Sequence, residues 1–207
     1  MADERSEQVA SIHGSGNAAG DRGSLRFAEA LAAALWGLAE ATFFFIVPDV
    51  IISMIAVQGR LRAALGAALA ALAGALAGGW LMHAWGAGAS EKVIRGFLDA
   101  VPAISADMIE RAYAALHELG AWAVLWGPLT GTPYKIYAAL APHAGVPVGI
   151  FLLISVPARL GRFLLVALAA HVLGRLLKRF LPGLNPLWAW GGFWLVFYGL
   201  WFALMPG

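Results

Sequence analysis

The chain has 207 residues, 61% of them hydrophobic and 13% charged, a net charge of +2 and a mean hydropathy of +0.76. Soluble domains average about 45–50% apolar and about 25% charged residues. An integral membrane protein is therefore expected, with one compact membrane domain and no room for a second sizeable soluble one. The absence of cysteine excludes disulfides, thiolate metal sites and thiol catalysis.

Residues 1–24 are polar and rich in Gly, Ser and Ala, without a periodic apolar face. They read as a flexible cytosolic tail and not as a signal peptide, because no basic segment leads directly into an apolar core. Residues 25–58 are apolar but interrupted by Glu29, Glu40, Pro48 and Asp49, which a lipid-facing helix of about 20 residues would not carry in its middle. A re-entrant hairpin is expected there. Arg60 and Arg62 then flank a clean run, 61–85, whose Gly66, Gly74, Gly78 and Gly79 suit a spanning helix packed closely on its neighbours.

Segment 90–119 is the charged stretch between apolar blocks, and amphipathic helices are predicted for it. Ser90 is placed to cap the first, and Met108, Ile109, Ala112, Leu116 and Leu119 form one stripe of the second. The apolar block 121–144 is broken at Thr130-Gly131-Thr132-Pro133, because the residue before a proline is pushed out of helical geometry. Each half is too short to span at about 1.5 Å per residue, so a second re-entrant hairpin is expected. A span over 147–173, a basic amphipathic bridge over 174–181 and a last span over 184–205 complete the chain.

Charge supports this layout. With the tail in the cytosol, the same side collects Arg22, Arg26, Arg60, Arg62, Arg175, Lys178 and Arg179, while 90–119 outside holds three bases against five acids. Reading either hairpin as a full span would break that agreement. The C-terminus is then external.

The two halves read as an inverted repeat of hairpin and span, on hydropathy and break positions alone. Such folds hold their substrate near the midplane, between broken helices. Thr132 as N-cap and Pro133 at the first helical position would start a half-helix, and Pro48 would start another in the same manner. Helix N-termini attract anions, so Pro48, Thr132 and Pro133 join Lys135, Arg159 and Arg162 as candidate binding residues for a phosphate or carboxylate. Glu40 and Asp49 are candidate sites for a coupling proton or cation. Lys135 either faces that ligand or pairs with Glu40 or Asp49 as a structural pin. Arg162 either shares a cavity with Arg159, one turn away, or pairs with an acid.

Glu29 lies nearer an interface and reads as solvated or snorkelling. His83, His143 and His171 lack ligand spacing, and Trp188, Trp190, Trp194 and Trp201 read as interface belt and core. No G-x-S-x-G, HExxH, P-loop or G-x-G-x-x-G motif is present, so neither an enzyme nor a cofactor or metal site is expected.

The block 127–174, GPLTGTPYKIYAALAPHAGVPVGIFLLISVPARLGRFLLVALAAHVLG, resembles the DedA superfamily, also called VTT-domain or SNARE-associated Golgi proteins. The resemblance lies in a proline-centred tip followed by an aromatic residue and a base, then in Ser155, Arg159, Arg162 and Phe163 spaced as Ser-x-x-x-Arg-x-x-Arg-Phe. Upstream, Glu40 through Pro48-Asp49 resembles that family's first re-entrant hairpin. The match covers about residues 30–175. Thr130 and Ile136 stand where many members carry arginines, and Lys135 supplies a charge one residue earlier.

The resemblance implies lipid translocation, of undecaprenyl phosphate in bacterial relatives and of phospholipids in eukaryotic ones, sometimes with ion coupling. A translocase for an anionic lipid in a multi-pass cell-membrane protein, of the bacterial inner membrane, is thus expected. The partners are an anionic lipid headgroup and a coupling proton or cation, without nucleic acid, and a monomer or a homo-oligomer is left open. The alternatives are a coupled carrier of a small soluble anion and a non-transporting membrane assembly factor.

Overall fold

The computed structural model describes residues 23–102 and 104–204, so the expected tail lies outside the described residues except for its last two. All regular structure among the described residues is helical: α1 (23–42), α2 (Asp49–Val57), α3 (Leu61–Gly88), α4 (Glu91–Asp99), α5 (Ala106–Leu119), α6 (Ala123–Thr130), α7 (Tyr134–Leu140), α8 (Val148–Phe180) and α9 (Pro186–Leu204), with a 3₁₀ turn at Gly120–Trp122. Three of them, α3, α8 and α9, are long and apolar enough to cross a membrane. The protein is an all-helical membrane protein by that measure.

Helix α8 runs on through the stretch expected as a separate basic bridge. Residues 174–180 keep helical geometry, so Lys178 and Arg179 are its last turn. Nothing in 174–181 breaks a helix before Pro182, and bases in a last turn favour its negative dipole end.

Helices α3 and α8 are the backbone of the fold, and two cores stack along them. One gathers α2 and Ala33 of α1 against Ala64, Ala67, Ala68 and Ala71 in the first half of α3 and against Phe163 and Ala167 of α8. The other gathers α5, α6 and α7 against Met82 of α3 and Phe151 and Ala158 of α8. The short helices α2 and α7 therefore occupy opposite ends of the same helix pair.

Glycine makes the close approaches. A Cβ on Gly74 would lie 1.8 Å from the Ala34 carbonyl of α1, on Gly86 2.1 Å from the Ala139 carbonyl of α7, and on Gly174 2.1 Å from the Val57 carbonyl of α2. Without side chains at those points, backbone packs on backbone, as small-residue interfaces in membranes do.

Helix α5 begins at Ser105, whose hydroxyl accepts from the Met108 N–H at 3.3 Å. It buries Ile109, Ala112 and Leu116, while Leu119 is exposed. Ser90 stands at the start of α4 without a side-chain capping bond; Arg95 bonds Glu91 on its own helix at 2.8 Å and ties α4 to α5 through Glu110. Helix α9 buries none of its side chains within the protein.

Candidate functional site

Two turns meet at the centre. The first, 43–48, links α1 to α2; the Trp36 indole N–H donates to the Ile46 carbonyl at 2.9 Å and folds the turn back onto α1. The second, 131–133, links α6 to α7. Gly131 closes α6 with φ 74 and ψ 8, a left-handed conformation that glycine adopts without steric cost.

The expected starts of the half-helices need two corrections. Pro133 is the residue before α7, with φ −60 and ψ 135, and not its first helical residue. Thr132 caps nothing: its hydroxyl lies 3.0 Å from that of Thr130. An extended Pro133 pushes the helix start on to Tyr134, and Thr132 is then one residue too early to reach a first-turn N–H. Pro48 does stand immediately before α2, also without a side-chain capping bond.

Lys135 forms no ion pair among the described residues. The residue is buried, at 2% exposure, and its ammonium donates to the Phe44 carbonyl of the opposite turn at 2.6 Å. The two acids offered as its alternative partners are taken by α8. Glu40 accepts from both terminal nitrogens of Arg159, and both side chains are buried. Asp49, 1% exposed, pairs with the partly exposed Arg162. The separation of three residues places both arginines on one face of α8, so one helix face meets the acids of α1 and α2 together.

Tyr134 and Ser155 complete the arrangement; the sequence marks them only as part of the family resemblance and assigns neither a site role. The Tyr134 hydroxyl donates to Ser155 Oγ at 2.9 Å, and Ser155 donates to the Phe151 carbonyl at 2.7 Å. The phenol ring thus fixed lies 4.7 Å from the Arg159 guanidinium carbon, and Phe163 lies 5.3 Å from it on α8. Cation–π contact of this kind stabilises a charge withdrawn from water. The available signal was the phase of Ser155, Arg159 and Phe163, which recur every fourth residue.

A cavity of about 310 Å³ opens beside these groups. Glu40, Lys135, Arg159, Arg162, Thr132 and Pro133 line it; Pro48 and Asp49 do not, although Asp49 touches it through Arg162. Its other wall is α9, through Trp194, Phe197, Tyr198 and Trp201. Two of the tryptophans read from sequence as belt and core are therefore cavity wall. The α9 stripe is held by hydrogen bonds: Trp190 and Trp194 each donate to Ser53 Oγ at 3.0 Å, and the Val47 N–H donates to the Tyr198 hydroxyl at 3.1 Å.

Residues set aside earlier also have partners. Glu29 is not simply solvated, but receives both terminal nitrogens of Arg60, at 2.5 and 2.8 Å. His83 contacts the Val146 carbonyl at 2.9 Å, and His143 bridges toward the carbonyls of Gly86 and Ala89 at 3.1 Å each. Among the described residues no group of three or more His, Cys, Asp or Glu is placed to hold a metal ion.

The site thus belongs to a helical membrane protein with a charged floor and an aromatic wall. No family model matches the chain, and no curated protein or solved structure matches it.

Proposed function

We propose that the protein translocates an anionic lipid, of the undecaprenyl phosphate or phospholipid kind, across the cell membrane, and that its likeness to the DedA superfamily reflects kinship. The observation that carries this reading is Lys135: a buried base that makes no salt bridge among the described residues and exceeds the two acids already paired with arginine, at a cavity walled by the α9 aromatics. A charge in excess in that setting is costly unless an anion meets it. In this reading Lys135, with Arg159 and Arg162, attracts the headgroup, and the tail lies along α9 and in lipid. Glu40 and Asp49 are the acids that hold the coupling proton or cation.

Two re-entrant hairpins belong to the same proposal. Arg60 at the start of α3 bonds Glu29, so the chain returns to the level at which α1 left. From 29 to 42 is 13 residues, about 20 Å of helix against a hydrocarbon core of about 30 Å. Helices α6 and α7, of 8 and 7 residues, reach only about 12 Å and about 10 Å. The distribution of bases then puts the N-terminus in the cytosol and the C-terminus outside a bacterial inner membrane.

A second reading has its own observation. The bond from Lys135 to the Phe44 carbonyl joins the two turns, as a structural pin would in a non-transporting assembly factor. Reconstitution separates the two: movement of labelled anionic lipids and of soluble anions is measured in liposomes for the parent, Lys135→Ala and Arg159→Ala. Translocation by the parent, lost in a folded Lys135→Ala protein, is the expected result. Normal movement in both variants would remove the phosphate site, and loss of folding in Lys135→Ala would favour the pin.

A further inference from the structure

The charged groups at the cavity can be summed. Glu40 and Asp49 are balanced one to one by Arg159 and Arg162, and each pair is in direct contact. Lys135 remains, with its bond to a neutral carbonyl. The other titratable side chains facing the cavity, Tyr134, Tyr137 and Tyr198, are neutral phenols. With the acids ionised and the bases protonated, the floor carries a net charge of +1.

We infer that the site selects a headgroup bearing a single negative charge, a phosphodiester as it stands and a phosphomonoester only after it has gained one proton. This rests on the anion reading of Lys135 above. One negative charge against Lys135 leaves the floor neutral, with both arginine pairs intact. Two would leave a net negative charge facing lipid and the α9 aromatics, where ions are poorly tolerated. A second charge could be matched only by breaking an Arg–acid pair, which strands a buried carboxylate.

Size and shape agree with a headgroup as occupant. A volume of about 310 Å³ lies at the small end of the range of about 300–1,000 Å³ for ligand sites, which suits a headgroup better than a headgroup with its acyl chains. Apolar tails would leave along Trp194, Phe197 and Trp201. A small soluble phosphodiester shares the charge but gains nothing from that wall.

Titration calorimetry on the detergent-solubilised full chain tests this with four probes: dihexanoyl phosphatidylglycerol, dihexanoyl phosphatidic acid, dihexanoyl phosphatidylcholine and dimethyl phosphate. At pH 7 the diester lipid should bind roughly tenfold tighter than the monoester, since phosphate monoesters lose their second proton at about 6. The gap should close toward pH 5, where both carry one charge. Equal or tighter binding of phosphatidic acid at pH 7 overturns the charge rule and leaves the anionic-lipid reading standing. Anionic probes that bind no better than phosphatidylcholine overturn both. Dimethyl phosphate binding as tightly as the lipid upholds the charge rule and overturns the lipid reading. Asp49→Asn raises the sum to +2 and should shift preference toward the monoester at pH 7; an unchanged preference in that folded variant also overturns the inference.

Discussion

Arg159 and Glu40, 119 positions apart in the chain, meet as a buried ion pair that joins α8 to α1 beneath the ring of Tyr134. Removing one partner of such a pair leaves a buried charge alone, at a cost of about 3–5 kcal/mol, whereas replacing both by apolar residues can be neutral. Glu40→Gln and Arg159→Met should each lower stability by that order in mixed-micelle unfolding. The double variant should recover more than half of the loss. Additive losses would mean that the pair is not coupled as the structure has it.

Backbone contacts along α3 and α8 give a second expectation. Gly86→Ala and Gly174→Ala would each place a Cβ about 1 Å too close to a carbonyl oxygen of α7 or α2, since the distances are 2.1 Å. Overpacking of that kind costs about 1–3 kcal/mol. Gly66→Ala meets nothing within 4 Å and removes the helix penalty of glycine, a gain of about 0.5–1 kcal/mol. Thermal midpoints of the three variants in one detergent should fall, fall and rise. A Gly86→Ala protein as stable as the parent would place α7 further from α3.

These contacts mark how far the sequence could be read. Breaks at Pro48 and Pro133, the small-residue face of α3 and the common face of Arg159 and Arg162 follow from local rules: proline geometry and helical period. Partner choice does not. Glu40 and Asp49 have no base within a helical turn in the sequence, and only the docking of α1 and α2 on α8 assigns each acid its arginine. The same holds for Lys135, whose partner is a carbonyl and so has no side-chain signature. Trp194 and Trp201 were read as belt because tryptophan in a terminal span is usually interfacial; the stripe they share with Phe197 and Tyr198 has helical spacing, but its partner Ser53 lies far off in α2.

Outside the spanning helices, the contact between α4 and α5 should respond to acid. The hydrogen bond from Arg95 holds the Glu91 carboxyl below its ordinary value of 4.5, and Arg95 also stacks on Tyr113 at 5.2 Å. A depressed carboxyl stabilises the fold fully above its ordinary value and gives that stability up as pH falls through the lowered one. The groups are largely exposed, so the effect is under about 1 kcal/mol. Hydrogen-exchange protection over 91–119, taken relative to the intrinsic rate at each pH, should fall below pH 4.5 in the parent, and Arg95→Met should remove that step. A step retained in Arg95→Met would assign it to another carboxylate.

Ser53 holds the aromatic wall. Its hydroxyl donates to the Val50 carbonyl at 3.1 Å and accepts from the indole N–H groups of Trp190 and Trp194 at 3.0 Å each. Ser53→Ala leaves Trp190 its second acceptor, the Val50 carbonyl at 3.2 Å, but leaves the Trp194 indole with none among the described residues. An unmade bond of this kind costs about 1–3 kcal/mol, and α9, with no buried side chain to hold it otherwise, should absorb the loss by moving. Spin labels at Leu69 on α3 and Val196 on α9, both exposed and convenient in a chain without cysteine, report that movement. Their distance distribution should broaden in Ser53→Ala and narrow again in Ser53→Thr, which keeps the acceptor. An unchanged distribution would mean that lipid packing alone, and not Ser53, keeps Trp194, Phe197 and Trp201 against the charged floor.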